Sequence, residues 1–181
     1  NYELPLAPVV CELDLAAVKL ALDRLASGLP AVAVNLAGAS LIVPDFTPRL
    51  LSLLQQRREL AGKLWLEVAE SGAFQYFDAF LAFSLALRPL GCRLGIEHVG
   101  RQFSQIGRLH DIGLDYLKVD GSFIRNIHGD NGNQAFLKGL CNIAHGIGLT
   151  VIAEGVNSAE ELATLPALGF DGATGPAVSR N

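Results

Sequence analysis

Short apolar runs rich in β-branched residues alternate along this chain with longer stretches whose apolar residues recur every three or four positions. The short runs are expected to be buried strands: Ala31–Leu36, Lys63–Val68, Cys92–Ile96, Tyr116–Val119, Thr150–Ala153 and a final candidate at Phe170–Ala173. The longer stretches predict helices over Leu13–Leu25, from Asp45 to Gly62, from Ala73 to Leu87, from Phe103 to about His110, from Gln134 to His145, and over Ala159–Leu168. Asp45 is placed to cap the second helix, with Pro48 in its first turn, and Ser158 with Glu161 reads as a capping box for the last. In the third helix Phe74, Phe77, Phe80, Leu81 and Leu85 fall at helical spacing and are expected in the core. Residues 1–10 hold two prolines and no clear period, and read as the tail of a connection from upstream.

Strand and helix alternating in this way predict a parallel sheet, α/β in class, with polar groups gathered at the C-terminal ends of the strands. The polar residues are where that geometry requires them. Asn35, Glu67, Glu97-His98, Lys118 with Asp120, Glu154 with Gly155, and Thr174 each stand at or just past the end of an apolar run. An ionised carboxylate at the tip of a buried strand needs a partner or a cavity. Glu154 is therefore expected to meet a ligand or to pair with Lys118. His98, with no second His at ligand spacing, is expected to be surface or packing rather than a metal ligand. His110, His128 and His145 are expected to be solvated. Gly146-Ile147-Gly148 precedes a strand instead of following one, so it reads as a helix stop and not as a phosphate loop.

Composition narrows the choice. Half of the 181 residues are apolar and 18% are charged, as expected for parallel strands covered on both faces. A net charge of -4 argues against DNA or RNA as partner and leaves room for a small nucleotide. Cys11, Cys92 and Cys141 are odd in number and far apart, which argues against a disulfide framework or zinc finger and suggests a reducing compartment. The chain has no Met, so a piece of a longer protein is expected. Its most apolar stretch, Leu29 to Phe46, is interrupted by Asn35, Ser40, Pro44 and Asp45 and does not read as a membrane span.

Four ordered motifs carry a resemblance. Val34-Asn35-Leu36-Ala37, Leu66-Glu67-Val68-Ala69-Glu70-Ser71, Leu117-Lys118-Val119-Asp120-Gly121-Ser122-Phe123 and Val151-Ile152-Ala153-Glu154-Gly155-Val156 resemble the EAL domain, the family of cyclic di-GMP phosphodiesterases and their non-catalytic relatives. The resemblance implies a TIM-like (β/α) barrel of the EAL type. The family's Glu-x-Leu motif lies on a strand upstream of this chain, so residues 1–181 would be the C-terminal three quarters of one such domain in a longer multidomain protein.

The chain departs from the family at Glu97-His98-Val99-Gly100-Arg101-Gln102, where catalytic members carry Asp-Asp-Phe-Gly-Thr-Gly, and at Thr174, where they carry glutamine. Paired aspartates suit two hard divalent ions, whereas histidine suits Mg²⁺ poorly. The resemblance, closest to the LapD-type receptors, therefore implies a non-catalytic domain that binds cyclic di-GMP through Asn35, Glu67, Lys118, Asp120, Glu154, Gly155 and Thr174. No Mg²⁺ or Mn²⁺ is expected, and no catalytic residue. It further implies a homodimer with Phe103 as an interface anchor, upstream GGDEF-like and membrane-linked modules, and a cytoplasmic position on an inner-membrane protein in biofilm or adhesion signalling. The rival expectations are an active metal-dependent phosphodiesterase, an unrelated barrel enzyme using Lys118 and Glu154, and a protein-interaction module that binds no nucleotide.

Overall fold

The computed structural model describes residues 6–178. The chain divides into two compact units, residues 1–95 and 96–181.

In the first unit, helix α1 (Leu6–Ala26) leads into strand β1 (Val32–Leu36). The helix starts well before the expected Leu13. Two prolines and an outward stripe of Leu6, Val9, Leu13 and Leu20, with no polar face at its start, hide its amphipathic period. Its other side buries Leu15, Val18, Leu22 and Leu25 together with one charge. That charge is Asp14, whose Oδ2 accepts from the Ala37 amide at 2.9 Å and from the Ser40 hydroxyl at 2.7 Å. Burial pushes the Asp14 carboxyl up, and these two donors partly offset it.

Helix α2 (Phe46–Gln56) breaks at Arg57 and resumes as α3 (Arg58–Ala61). Asp45 precedes it in helical conformation and makes no side-chain cap, contrary to expectation. Strand β2 (Leu64–Ala69) then pairs in parallel with β1, setting Asn35 opposite Glu67. The expected third helix is two: α4 (Glu70–Gln75) and α5 (Phe77–Leu87), parted at Tyr76. Only Phe80 of the five expected core positions is fully buried, and Leu85 is exposed. Phe83 takes the inward place instead and stacks on Phe46 at 6.0 Å.

Strand β3 (Arg93–Val99) crosses the boundary between the units and runs three residues beyond Ile96, so Glu97 and His98 are strand residues rather than loop. Within the second unit follow a 3-10 helix (Phe103–Arg108), α6 (Leu109–Ile112), β4 (Tyr116–Val119) and a single turn α7 (Gly121–Ile124). Then come α8 (Asn131–Gly146), β5 (Thr150–Ala153), α9 (Ala159–Leu168) and β6 (Gly172–Ala173). β4, β5 and β6 pair in parallel in chain order. Parallel strands need crossovers, and α8 and α9 supply two of them. Leu137, Leu140, Cys141 and Ala144 of α8 are completely buried, as are Leu117, Val119, Val151 and Ala153 of the strands.

The capping box forms as expected, with Ser158 accepting from the Glu161 amide and Glu161 accepting from the Ser158 amide. Gly148, at φ 84°, turns the chain after α8 as a helix stop requires. His145 is not simply solvated: its Nε2 lies 2.8 Å from Asp171 Oδ2, an oxygen that also accepts from the Val151 amide. No described helix is long and apolar enough to cross a membrane.

Candidate functional site

The second unit gathers its polar residues one step past the strands. The Asp120 amide donates to Val99 O at 3.0 Å, the Glu154 amide to Val119 O at 3.0 Å, and the Thr174 amide to Ala153 O at 2.8 Å. Each residue therefore takes the last rung of the ladder with its neighbour. Its side chain is released where the strand stops, while its backbone stays fixed.

Three carboxylates meet around one imidazole. His98 adopts a left-handed φ of 55°, which is costly for a residue with a Cβ and persists only where surroundings hold it. In that conformation the His98 amide donates to Glu154 Oε2 at 3.2 Å. The ring nitrogen Nδ1 lies 3.2 Å from the same oxygen and 3.2 Å from Asp120 Oδ2, and Nε2 lies 3.8 Å from Glu97 Oε1. Two residues on, Gly100 sits against the Phe123 ring so closely that a Cβ there would fall 2.4 Å from it. That approach, together with a φ of 148°, favours glycine just after β3. Phe123 is itself fixed against Phe136, ring centroids 5.6 Å apart.

The charges respond to this crowding. Burial pushes the Glu154 carboxyl above the usual carboxylate range, and the His98 ring and amide pull it partly back. Glu97 adds to the upward push, and Lys118 is the weakest of the named influences. Glu154 thus has His98 as a partner, through the His98 amide at 3.2 Å. Asp120 goes the other way: hydrogen bonds from Ser122 hold it below its ordinary value, helped by His98 and Arg101. One of those bonds runs from the Ser122 amide to Asp120 Oδ1 at 2.8 Å.

Of the residues expected at a site, Lys118, Asp120, Glu154, Gly155 and Thr174 all lie along these strand ends. Lys118 is half-buried and Thr174 is exposed. Gly155 has φ 64°, and a Cβ there would lie 3.6 Å from Gly121 Cα, so β5 and α7 approach backbone to backbone. Asn35 and Glu67 belong to the first unit, where Asn35 is exposed and Glu67 is buried. Phe103 begins its 3-10 helix, but its side chain lies outside the described residues. The residue that spacing missed is His98. The signal available was its place between Glu97 and Gly100 at the end of an apolar run.

Among the described residues, no group of three or more His, Cys, Asp or Glu side chains is arranged to hold a metal ion. A divalent ion would need oxygen ligands at about 2.0–2.6 Å on open coordination sites. Here the His98 ring nitrogen Nδ1 lies 3.2 Å from both Asp120 Oδ2 and Glu154 Oε2.

Parallel strands, crossover helices and polar residues gathered at the strand ends define an α/β domain. Residues 7–181 match the family model described as the EAL domain. The chain belongs to the EAL-domain family.

Among its relatives is the cyclic di-GMP phosphodiesterase PdeF of Escherichia coli, 31% identical over 139 residues, which cover 77% of this chain and 19% of PdeF. The chain spans about a fifth of the length of the curated relatives it matches. The EAL domain of FimX from Pseudomonas aeruginosa, solved bound to cyclic di-GMP, is 28% identical with a TM-score of 0.83, covering 90% of this chain and 67% of that one. BlrP1 of Klebsiella pneumoniae, in its calcium and cyclic di-GMP complex, is 30% identical with a TM-score of 0.81, covering 96% of this chain and 44% of that one. The α/β fold is thus that of EAL domains, a TIM-like barrel type.

Proposed function

We propose that this domain binds cyclic di-GMP without hydrolysing it and serves as the receptor module of a longer, membrane-tethered signalling protein of the LapD type. The observation that carries this reading is the His98 ring lodged against both Asp120 and Glu154, with Glu97 in place of an aspartate before it. A two-metal hydrolase gathers hard oxygen ligands around its ions, and a histidine suits that role less well than the aspartate it replaces. Support for the ligand comes from FimX and BlrP1, each solved with cyclic di-GMP.

The ligand is a dianion bearing two guanines. Its phosphates suit Lys118, and the donor edge of a guanine suits a carboxylate such as Glu154, which would repel phosphate. Binding would then select one of two states of the larger protein.

Calorimetry with cyclic di-GMP tests this directly. The expected result is the same affinity with and without EDTA, and no linear dinucleotide formed in the presence of Mg²⁺ or Mn²⁺. Glu154→Ala is expected to weaken binding at least ~10-fold, which corresponds to ~1.4 kcal/mol. Unchanged affinity in that variant removes Glu154 from the site.

One observation favours a second reading: PdeF, 31% identical, is named a phosphodiesterase, and Glu97 keeps a carboxylate beside the altered position. Metal-dependent turnover by the unmodified protein would establish that reading and end the first.

A further inference from the structure

The turn after β3 brings a further cation to the strand ends. Residues 100–102 join β3 to the 3-10 helix Phe103–Arg108, and both flanks of this turn are fixed. Before it, Val99 O accepts from the Asp120 amide at 3.0 Å, and Gly100 lies against the Phe123 ring. After it, the Gln105 amide donates to Gln102 O at 2.8 Å, and Gln105 Nε2 to Gln102 Oε1 at 2.7 Å. Between the flanks stands Arg101, exposed to solvent. Its charge is felt nearby: the Asp120 carboxyl is held down by Ser122, then by His98, and by Arg101 as well. Where the motif of catalytic EAL domains has threonine, this chain has Arg101.

Cyclic di-GMP would bring two negative charges to an edge that already holds the carboxylates Glu97, Asp120 and Glu154. Binding it without a metal ion therefore calls on cations of the protein itself. Lys118 is half-buried on β4, whereas Arg101 stands at the solvent side on a main chain that is already ordered. A guanidinium presents five N–H donors in a planar fork that matches two phosphate oxygens, and it sheds water more readily than an ammonium. A contact that Arg101 makes within the protein leaves other donors of the fork for a ligand.

We infer that Arg101 is a phosphate-binding residue of this site, its guanidinium meeting a phosphodiester of the nucleotide from the turn after β3. The inference rests on the receptor reading. Lys118 and Arg101 would then share the two charges that the strand-end carboxylates repel.

The test follows cyclic di-GMP by calorimetry in EDTA, at ~0.05 M and ~0.5 M NaCl, on the unmodified chain, Arg101→Gln and Lys138→Gln. Lys138 is exposed in the middle of α8, and its substitution makes the same change in net charge. At the lower salt, Arg101→Gln is expected to bind at least ~10-fold more weakly, and Lys138→Gln within ~2-fold of the unmodified protein. The loss in Arg101→Gln should shrink at the higher salt, because screening weakens a contact between charges. A second measurement is made on the unmodified protein: the Arg101 Nε–H resonance, assigned by its absence from Arg101→Lys, is expected to move on saturation with the nucleotide.

If Arg101→Gln binds as tightly as the unmodified protein, or loses no more than Lys138→Gln, the inference is overturned and the receptor reading stands. A loss of equal size at both salts also overturns it, since that result places the guanidinium on a guanine face rather than on phosphate. Should Arg101→Gln not fold, an Nε–H resonance unmoved by the nucleotide does the same. No binding by the unmodified protein ends the receptor reading and this inference with it.

Discussion

Gly175→Ala is expected to destabilise the chain by ~3 kcal/mol or more. A Cβ at position 175 would fall 2.4 Å from Val156 N and 2.5 Å from Val156 O, both main-chain atoms that cannot swing aside. Those same atoms are engaged. Val156 N donates to Thr174 O at 2.9 Å, and Val156 O accepts from Ala177 N at 3.0 Å. A methyl group would have to displace a segment tied by two hydrogen bonds, each worth ~1 kcal/mol net. Its φ of 137° adds strain for any residue with a Cβ. Gly129→Ala is the control, because nothing lies within 4 Å of the Cβ it would add. Urea unfolding followed by circular dichroism should show a large fall in midpoint for the first variant and almost none for the second. Similar midpoints would mean that the turn after β6 relaxes freely.

Glu161→Ala is expected to cost ~3 kcal/mol, because one buried carboxylate closes three main-chain donors. Its Oε1 accepts from Asn126 N at 2.9 Å, and its Oε2 from Asn157 N at 2.7 Å and Ser158 N at 3.3 Å. The side chain is 3% exposed, so water cannot readily replace it. Asn126 stands at a left-handed φ of 57°, and its tie to Glu161 helps hold that turn.

The amides of Asn157 and Asn126, in that order, hold the Glu161 carboxyl below its ordinary value. The sign follows: a carboxyl depressed in the folded state stabilises at pH values above its unfolded range, near 4.5. That contribution is lost as pH falls through the folded value. In thermal melts across acid pH, the gap between the unmodified chain and Glu161→Ala should therefore narrow below pH 4.5 and stay constant above it. A gap that widens on acidification would contradict the assignment.

What the sequence disclosed depended on how local the signal was. The strand Thr150–Ala153 and the Ser158–Glu161 box are each decided within six residues, by period and by capping chemistry, and both stand in the structure. Breaks at Arg57 and Tyr76 carry no glycine or proline, so periodicity ran straight across them. Spacing does not single out Phe83, because Phe74 and Phe77 make an equally good helical stripe. Tertiary packing, not spacing, chose between the stripes. His98 eluded a reading based on neighbours in sequence because its partners, Asp120 and Glu154, lie 22 and 56 positions away.

The three thiols have a practical side. Cys11, Cys92 and Cys141 are buried, and burial pushes Cys92 up to about 11 and Cys141 to about 12, so almost no thiolate is present at neutral pH. A maleimide or a spin label meets a folded surface that offers it nothing to attack. One cysteine engineered beside the strand ends can therefore carry a reporter on a background that keeps all three native sulfurs.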